Sequence, residues 1–133
     1  MKKRVLFVCI GNICRSPMAE AMARKYGSDV LEVASAGLAP ALGNTPFTRS
    51  VLTEKNVDLG DHLPRRFRDI DIKSFDLVVN ISGSPLPKNL GVPVEEWNVD
   101  DPMGGSEDEF RQARETLEML VMRLVLRARL GKL

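Results

Sequence analysis

The stretch Arg4-Val5-Leu6-Phe7-Val8-Cys9-Ile10-Gly11-Asn12-Ile13-Cys14-Arg15-Ser16-Pro17 passes from a continuous apolar run, through a loop containing glycine and asparagine, into a Ser-Pro pair. An unbroken run rich in Val and Phe is the pattern of a strand buried on both faces of a parallel sheet. Ser16-Pro17 predicts a helix start, with Ser16 as the N-cap and Pro17 at the first helical position. Met18, Met22 and Tyr26 form a stripe at helical spacing, and Gly27 supplies the stop. Strand, loop and helix thus succeed one another between Arg4 and Gly27.

The alternation continues outward from there. Leu31 to Ala34 reads as a second strand ending at Ser35-Ala36-Gly37, and Thr45-Pro46 opens a helix carrying Phe47, Val51 and Leu52 that ends near Asn56. Phe75 to Ile81 and Val94 to Val99 read as two more buried strands, broken by Asp101-Pro102. Gly104-Gly105-Ser106 leads into the longest helix, Ser106 to Arg129, with Phe110, Ala113, Leu117, Leu120, Val121, Leu124 and Ala128 on one face. Its acidic first turn and basic last turn match the helix dipole. Met119, Met122 and Leu126 form a second apolar stripe, expected to join the core. Strands alternating with helices predict an α/β fold, a three-layer arrangement of a parallel sheet flanked by helices, with its chemistry at the carboxyl ends of the strands. Cys9 and Asp101 both fall there.

A chain of 133 residues without repeats or linkers reads as one domain, 1–133. Nineteen basic residues against 18 acidic ones leave a net charge of +1, so neither nucleic acid nor an anionic membrane is an expected partner. No apolar run approaches the ~18 residues of a membrane span. The basic start and short apolar run lack the length of a secretory signal, which makes a cytoplasmic location the expectation. Two cysteines and one histidine are too few for a disulfide framework or a closed zinc site, and neither a metal nor a cofactor is expected. Oligomeric state is not legible.

The loop itself places a thiol, Cys9, at a strand end and a guanidinium, Arg15, at the entrance to a helix. Wrapped into a semicircle, such a segment points backbone N–H groups inward, the helix terminus adds partial positive charge, and Arg15 closes the ring as a planar two-pronged donor. A tetrahedral oxyanion fits that cup. The same donors favour a thiolate at Cys9, directly beneath the anion it would attack.

Val8-Cys9-Ile10-Gly11-Asn12-Ile13-Cys14-Arg15-Ser16-Pro17-Met18-Ala19-Glu20 resembles the signature of the low-molecular-weight protein tyrosine phosphatases, whose superfamily includes thioredoxin-coupled arsenate reductases and bacterial protein-arginine phosphatases. Ser35-Ala36-Gly37, Phe75-Asp76 and Asp101-Pro102 resemble further family segments, so the similarity covers essentially the whole chain. The resemblance implies a four-stranded parallel sheet, no metal and a phosphocysteine intermediate. It makes Cys9 the nucleophile, Arg15 the phosphate clamp and Asp101 the general acid. Ile10, Gly11, Asn12, Ile13, Cys14, Arg15 and Ser16 then form the phosphate-binding loop, with Asn12, Ser16 and Ser35 as its hydrogen-bonding supports. Cys14 is a candidate redox partner for Cys9 if their Cα atoms come within ~7 Å, or else a small buried residue under the loop. His62 is expected to be structural.

Three readings compete: a phosphatase, an arsenate reductase, and a non-catalytic phosphate-binding or redox-sensing module, the last disfavoured because nucleophile, clamp and acid are all present. Hydrolysis of phosphorylated protein, with phosphotyrosine foremost, is favoured by Ile13 and Ser16-Pro17, which take the phosphatase form. Arsenate reduction is the alternative. Ser82-Gly83 stands where that branch places Cys-Gly, and no later cysteine follows, so an external thiol reductant would be needed. Asp101-Pro102-Met103-Gly104-Gly105-Ser106 resembles the arginine-phosphatase stretch. Met103, and Leu38 to Leu42 on the opposite rim, offer no aromatic side chain to stack on a tyrosyl ring.

Overall fold

Lys3–Cys9 forms the first strand, β1, in a computed structural model that describes residues 1–41 and 45–133. Leu42, at the end of the rim segment singled out above, lies outside the described residues. The other elements are α1 (Arg15–Gly27), β2 (Leu31–Gly37), α2 (Pro46–Thr53), β3 (Leu77–Asn80), β4 (Val94–Glu96) and α3 (Glu107–Arg129), with short 3-10 turns at Phe67–Asp69 and Ile72–Ser74. All strand pairs are parallel and the order is β2-β1-β3-β4. β1 is central, pairing Val5 with both Val33 and Leu77, which explains its continuous apolar run.

Side chains alternate across the sheet. Val5 and Phe7 join α1, α2 and α3 in the larger core with Met18, Met22, Leu117 and Leu124, while Leu6 and Val8 face Phe67, Phe75 and Val78. The second face is therefore covered by the 3-10 turns and loops, and all three α-helices lie on the first. Each fully buried aliphatic or aromatic side chain contributes about 1.5–3 kcal/mol, so the central strand and helix stripes dominate stability. Gly27 allows the close approach of α1 to α3: a Cβ there would lie 2.6 Å from Val125 Cγ2.

Several boundaries differ from the sequence reading. α1 starts at Arg15 with Cys14 as its N-cap, which places Ser16 inside the first turn and gives it a role other than capping. β2 runs on to Gly37 because it pairs with β1 as far as Cys9. β3 and β4 are shorter than expected, and the chain leaves the sheet at Ile81 and Trp97. α3 opens with a capping box in which the Ser106 hydroxyl accepts from Glu109 N. Met119, Met122 and Leu126 are not core: each is about half exposed, on the side of α3 turned from the sheet. Beyond β2, Gly37 also bridges to Arg66.

Candidate active site

The loop after β1 is held from outside, one carbonyl at a time. Cys9 O accepts from Leu38 N (3.0 Å), Ile10 O from Ala39 N (2.9 Å) and Gly11 O from Ala41 N (3.0 Å). Asn12 O accepts from His62 Nε2 (2.6 Å), which must carry the proton because a carbonyl offers none. Ile13 O accepts from Thr48 Oγ1 (2.9 Å) and Cys14 O from Met18 N (3.0 Å). In a trans peptide the N–H points opposite its C=O, so tying the carbonyls outward turns the amides inward. None of the N–H groups of residues 10–16 has an acceptor among the described residues. The arrangement is a ring of donors at the N-terminus of α1, suited to a tetrahedral oxyanion.

Asn12 is the keystone. Fully buried and at φ 55, it adopts the left-handed backbone that asparagine tolerates better than most residues. Its Nδ2 donates to Ser16 Oγ (2.8 Å) and its Oδ1 accepts from Arg65 N (2.9 Å). Ser16 Oγ lies 2.9 Å from Cys9 Sγ. With its lone pairs receiving Asn12, the Ser16 hydroxyl hydrogen can turn to a Cys9 thiolate, its other acceptor, Ala36 O, being farther away at 3.5 Å. The loop also needs Gly37 behind it, since a Cβ there would meet Ile10 O at 2.6 Å and Asn12 Cβ at 2.9 Å. Gly37→Ala is therefore expected to cost about 1–3 kcal/mol of stability and to lower turnover with it, because the obstructing atoms are the loop itself. Thermal melts and steady-state rates check this, and an unchanged melting temperature would show that the loop yields.

Arg15 is buried, its side chain only 6% exposed. Nη1 donates to Ile81 O (2.8 Å) and Val99 O (3.1 Å), tying the ends of the β3 and β4 segments to the loop. Nη2 lies 3.4 Å from Asp101 Oδ2, and Asp101 Oδ1 accepts from Met103 N (3.1 Å). Cys9, Asn12, Arg15, Ser16 and Asp101 thus meet at one end of the sheet. Ser35 does not join them: it sits beside Phe7 in the β2 register and donates to Glu20 Oε1 (2.5 Å), so it braces α1 and not the loop. Glu20 also pairs with Arg24. Cys9 and Cys14 are both buried free thiols. Burial, then the neighbouring Cys9, push the Cys14 thiol up to about 12.

Sequence reasoning did not find Thr48, the Arg65 amide or the Asn80–Ser82 cluster. Asn80 Nδ2 reaches Glu96 Oε1 (2.9 Å) and Ser84 O (2.8 Å), and its Oδ1 accepts from Ser82 Oγ (2.6 Å), which stiffens the turn that presents Ile81 O to Arg15. A polar residue closing an apolar strand was the one available signal for Asn80. Thr48 and Arg65 act through contacts remote in sequence and had none.

Residues 4–92 match the family described as low molecular weight phosphotyrosine protein phosphatase. An arsenate reductase of Staphylococcus aureus (strain N315) is 31% identical over 132 residues, covering 95% of this chain and 98% of its own. A solved structure of an arsenate reductase in the phosphate binding state superposes with a TM-score of 0.88 at 28% identity, covering 95% of this chain and 98% of that one. The YwlE arginine phosphatase from Geobacillus stearothermophilus superposes with a TM-score of 0.84 at 27% identity, covering 98% of this chain and 95% of its own.

Proposed function

Because the chain belongs to the low molecular weight phosphotyrosine protein phosphatase family, we propose that Cys9 attacks a tetrahedral oxyanion held by the loop amides and Arg15, and that the covalent adduct is resolved from outside the chain. The observation that carries this reading is the inward ring of N–H donors around Cys9; the sequence offers one other cysteine, Cys14, which is buried. At the position of a relay cysteine, Ser82 is instead engaged with Asn80.

With a phosphomonoester, the Cys9 thiolate displaces the leaving oxygen, which takes a proton from Asp101, and water then cleaves the S–P bond. Ile13 and Ser16-Pro17 favour phosphotyrosine on a protein. Met103 and Leu38 to Leu42, none of them aromatic, and the likeness to an arginine phosphatase support phosphoarginine as the competing substrate, with a P–N bond broken and a guanidino nitrogen leaving in place of the oxygen. Parallel assays on a phosphotyrosine peptide and a phosphoarginine protein decide between them. Phosphate release from the former, with a trapped phosphocysteine at Cys9, is the expected result.

The second reading is arsenate reduction, and the arsenate reductases among the relatives favour it. There an external thiolate attacks Cys9 Sγ and the S–As bond breaks with its electron pair left on arsenic, which departs as arsenite. A second thiol then reduces the mixed disulfide. The reduced protein mixed with arsenate alone is expected to release no arsenite, and a small added thiol is expected to start turnover. One equivalent of arsenite without added thiol would mean that an internal cysteine resolves the adduct. Arsenite turnover with thiol, combined with inertness toward every phosphate ester, would make arsenate the substrate.

A further inference from the structure

Most arginines of this protein are paired with carboxylates, among them Arg4, Arg24, Arg111, Arg114, Arg127 and Arg129. Arg123, on the exposed side of α3, and the cluster Arg65, Arg66 and Arg68 differ, and the cluster is the one beside the loop. Arg65, Arg66 and Arg68 are all exposed, and none has an ion-pair or side-chain hydrogen-bond partner among the described residues, although Asp69 and Asp71 follow closely in the chain. Their backbone is anchored at the catalytic loop: Arg65 N donates to Asn12 Oδ1, Arg65 O accepts from Gly37 N, and Arg66 bridges to Gly37. Arg66 and Arg68 line one cleft of about 390 Å³ with Phe67 and the rim residues Leu38, Ala39 and Pro40. Leu38 and Ala39 are the residues whose amides hold Cys9 O and Ile10 O, so only the rim segment separates the cleft from the loop.

We propose that this cleft is a second anion subsite, which receives acidic side chains flanking the phosphorylated residue of a protein substrate. The inference rests on the hydrolytic reading of the Cys9 loop. Guanidinium groups bind carboxylates through two parallel hydrogen bonds, and a cleft lined by charge of one sign focuses its field and speeds the encounter with a ligand of the other. Unpaired arginines crowded into four residues repel one another, and an acidic segment relieves that repulsion. Leu38 and Pro40 supply an apolar wall for the peptide backbone. A substrate spanning both sites places its phosphate in the loop and its acidic neighbours one rim-width away.

The test compares wild type with the double variant Arg66→Ser, Arg68→Ser on three substrates at low and moderate salt: nitrophenyl phosphate, a phosphopeptide with Asp and Glu beside the phosphorylated residue, and the same peptide with Ser in their place. The variant is expected to lose about tenfold in kcat/KM on the acidic peptide, to lose the salt dependence of that rate, and to keep its rates on the other two. Equal rates for both proteins on the acidic peptide overturn the subsite. An equal fall on all three substrates overturns it too, because the arginines would then only support the loop.

If wild type hydrolyses none of the three, the hydrolytic reading has failed, and the subsite is read by fluorescence polarisation of a labelled, unphosphorylated acidic peptide. Binding by wild type but not by the variant keeps the acidic-peptide site, and no binding removes it. A loss confined to arsenite formation with a carboxylate-bearing thiol, and absent with a neutral one, would assign the cleft to the reductant and overturn the peptide assignment.

Discussion

Cys9→Ser is expected to abolish turnover on every substrate while leaving the loop able to bind a tetrahedral oxyanion. Removal of a covalent nucleophile costs on the order of 10⁶-fold, since a serine hydroxyl without an adjacent base is a poor nucleophile. Binding is expected to survive because its donors lie elsewhere: the inward amides of residues 10–16 and the Arg15 guanidinium, both fixed by bonds that do not involve Sγ. The checks are kcat on an aryl phosphate and calorimetric titration with inorganic phosphate. Retained turnover would exclude the covalent route, and loss of both turnover and binding would mean that the thiol also shapes the cup.

Asp101→Asn is expected to lower kcat about 100- to 10,000-fold on substrates with poor leaving groups, roughly 3 to 5 kcal/mol of barrier, and much less on an activated nitrophenolate. An alkoxide or tyrosyl oxygen needs its proton in the transition state, and an amide cannot donate one in that way. Asp100→Asn is expected to cost far less, because Asp101 is the one oriented by Met103 N and Arg15. Rates on phosphate esters of graded leaving-group pKa separate the two. A steeper dependence for Asp100→Asn than for Asp101→Asn would reassign the acid. No change for either would leave a site that does not expel an alkoxide, in keeping with arsenate.

The parts of the fold legible in sequence were those with a short-range signature. The strand from Arg4 to Cys9, the apolar face of α3 and the position of Cys9 at a strand end all follow from periodicity and local turn chemistry. The two apolar stripes on α3 could not be ranked by pattern alone. Leu117, Val121 and Leu124 face the sheet and Met119, Met122 and Leu126 do not, and that choice is made by how α1 and α2 pack. By local pattern Ser-Pro marks Ser16 as a helix cap, whereas the folded chain gives that place to Cys14 and sets the Ser16 hydroxyl between Asn12 and Cys9, in the loop-supporting place that the resemblance implies. The resemblance places Ser35 with the loop, and its bond to Glu20 depends on helix packing that no short motif records. The supports from Thr48, His62 and the Arg65 amide come from distant segments, and only the folded chain assembles them.

The outermost strands carry a consequence for solubility. A four-stranded open sheet exposes two ladders of unused amides and carbonyls, each a template onto which another chain can add. Here β4 is three residues long and bears Glu95 and Glu96, while the far end of β2 is covered where Gly37 meets Arg66. The β2 edge is longer, seven residues, and carries Glu32 near its start. At the carboxyl rim, where anions would enter, both edges are therefore blunted, β4 by its shortness and acidic charge and β2 by the bridge to Arg66.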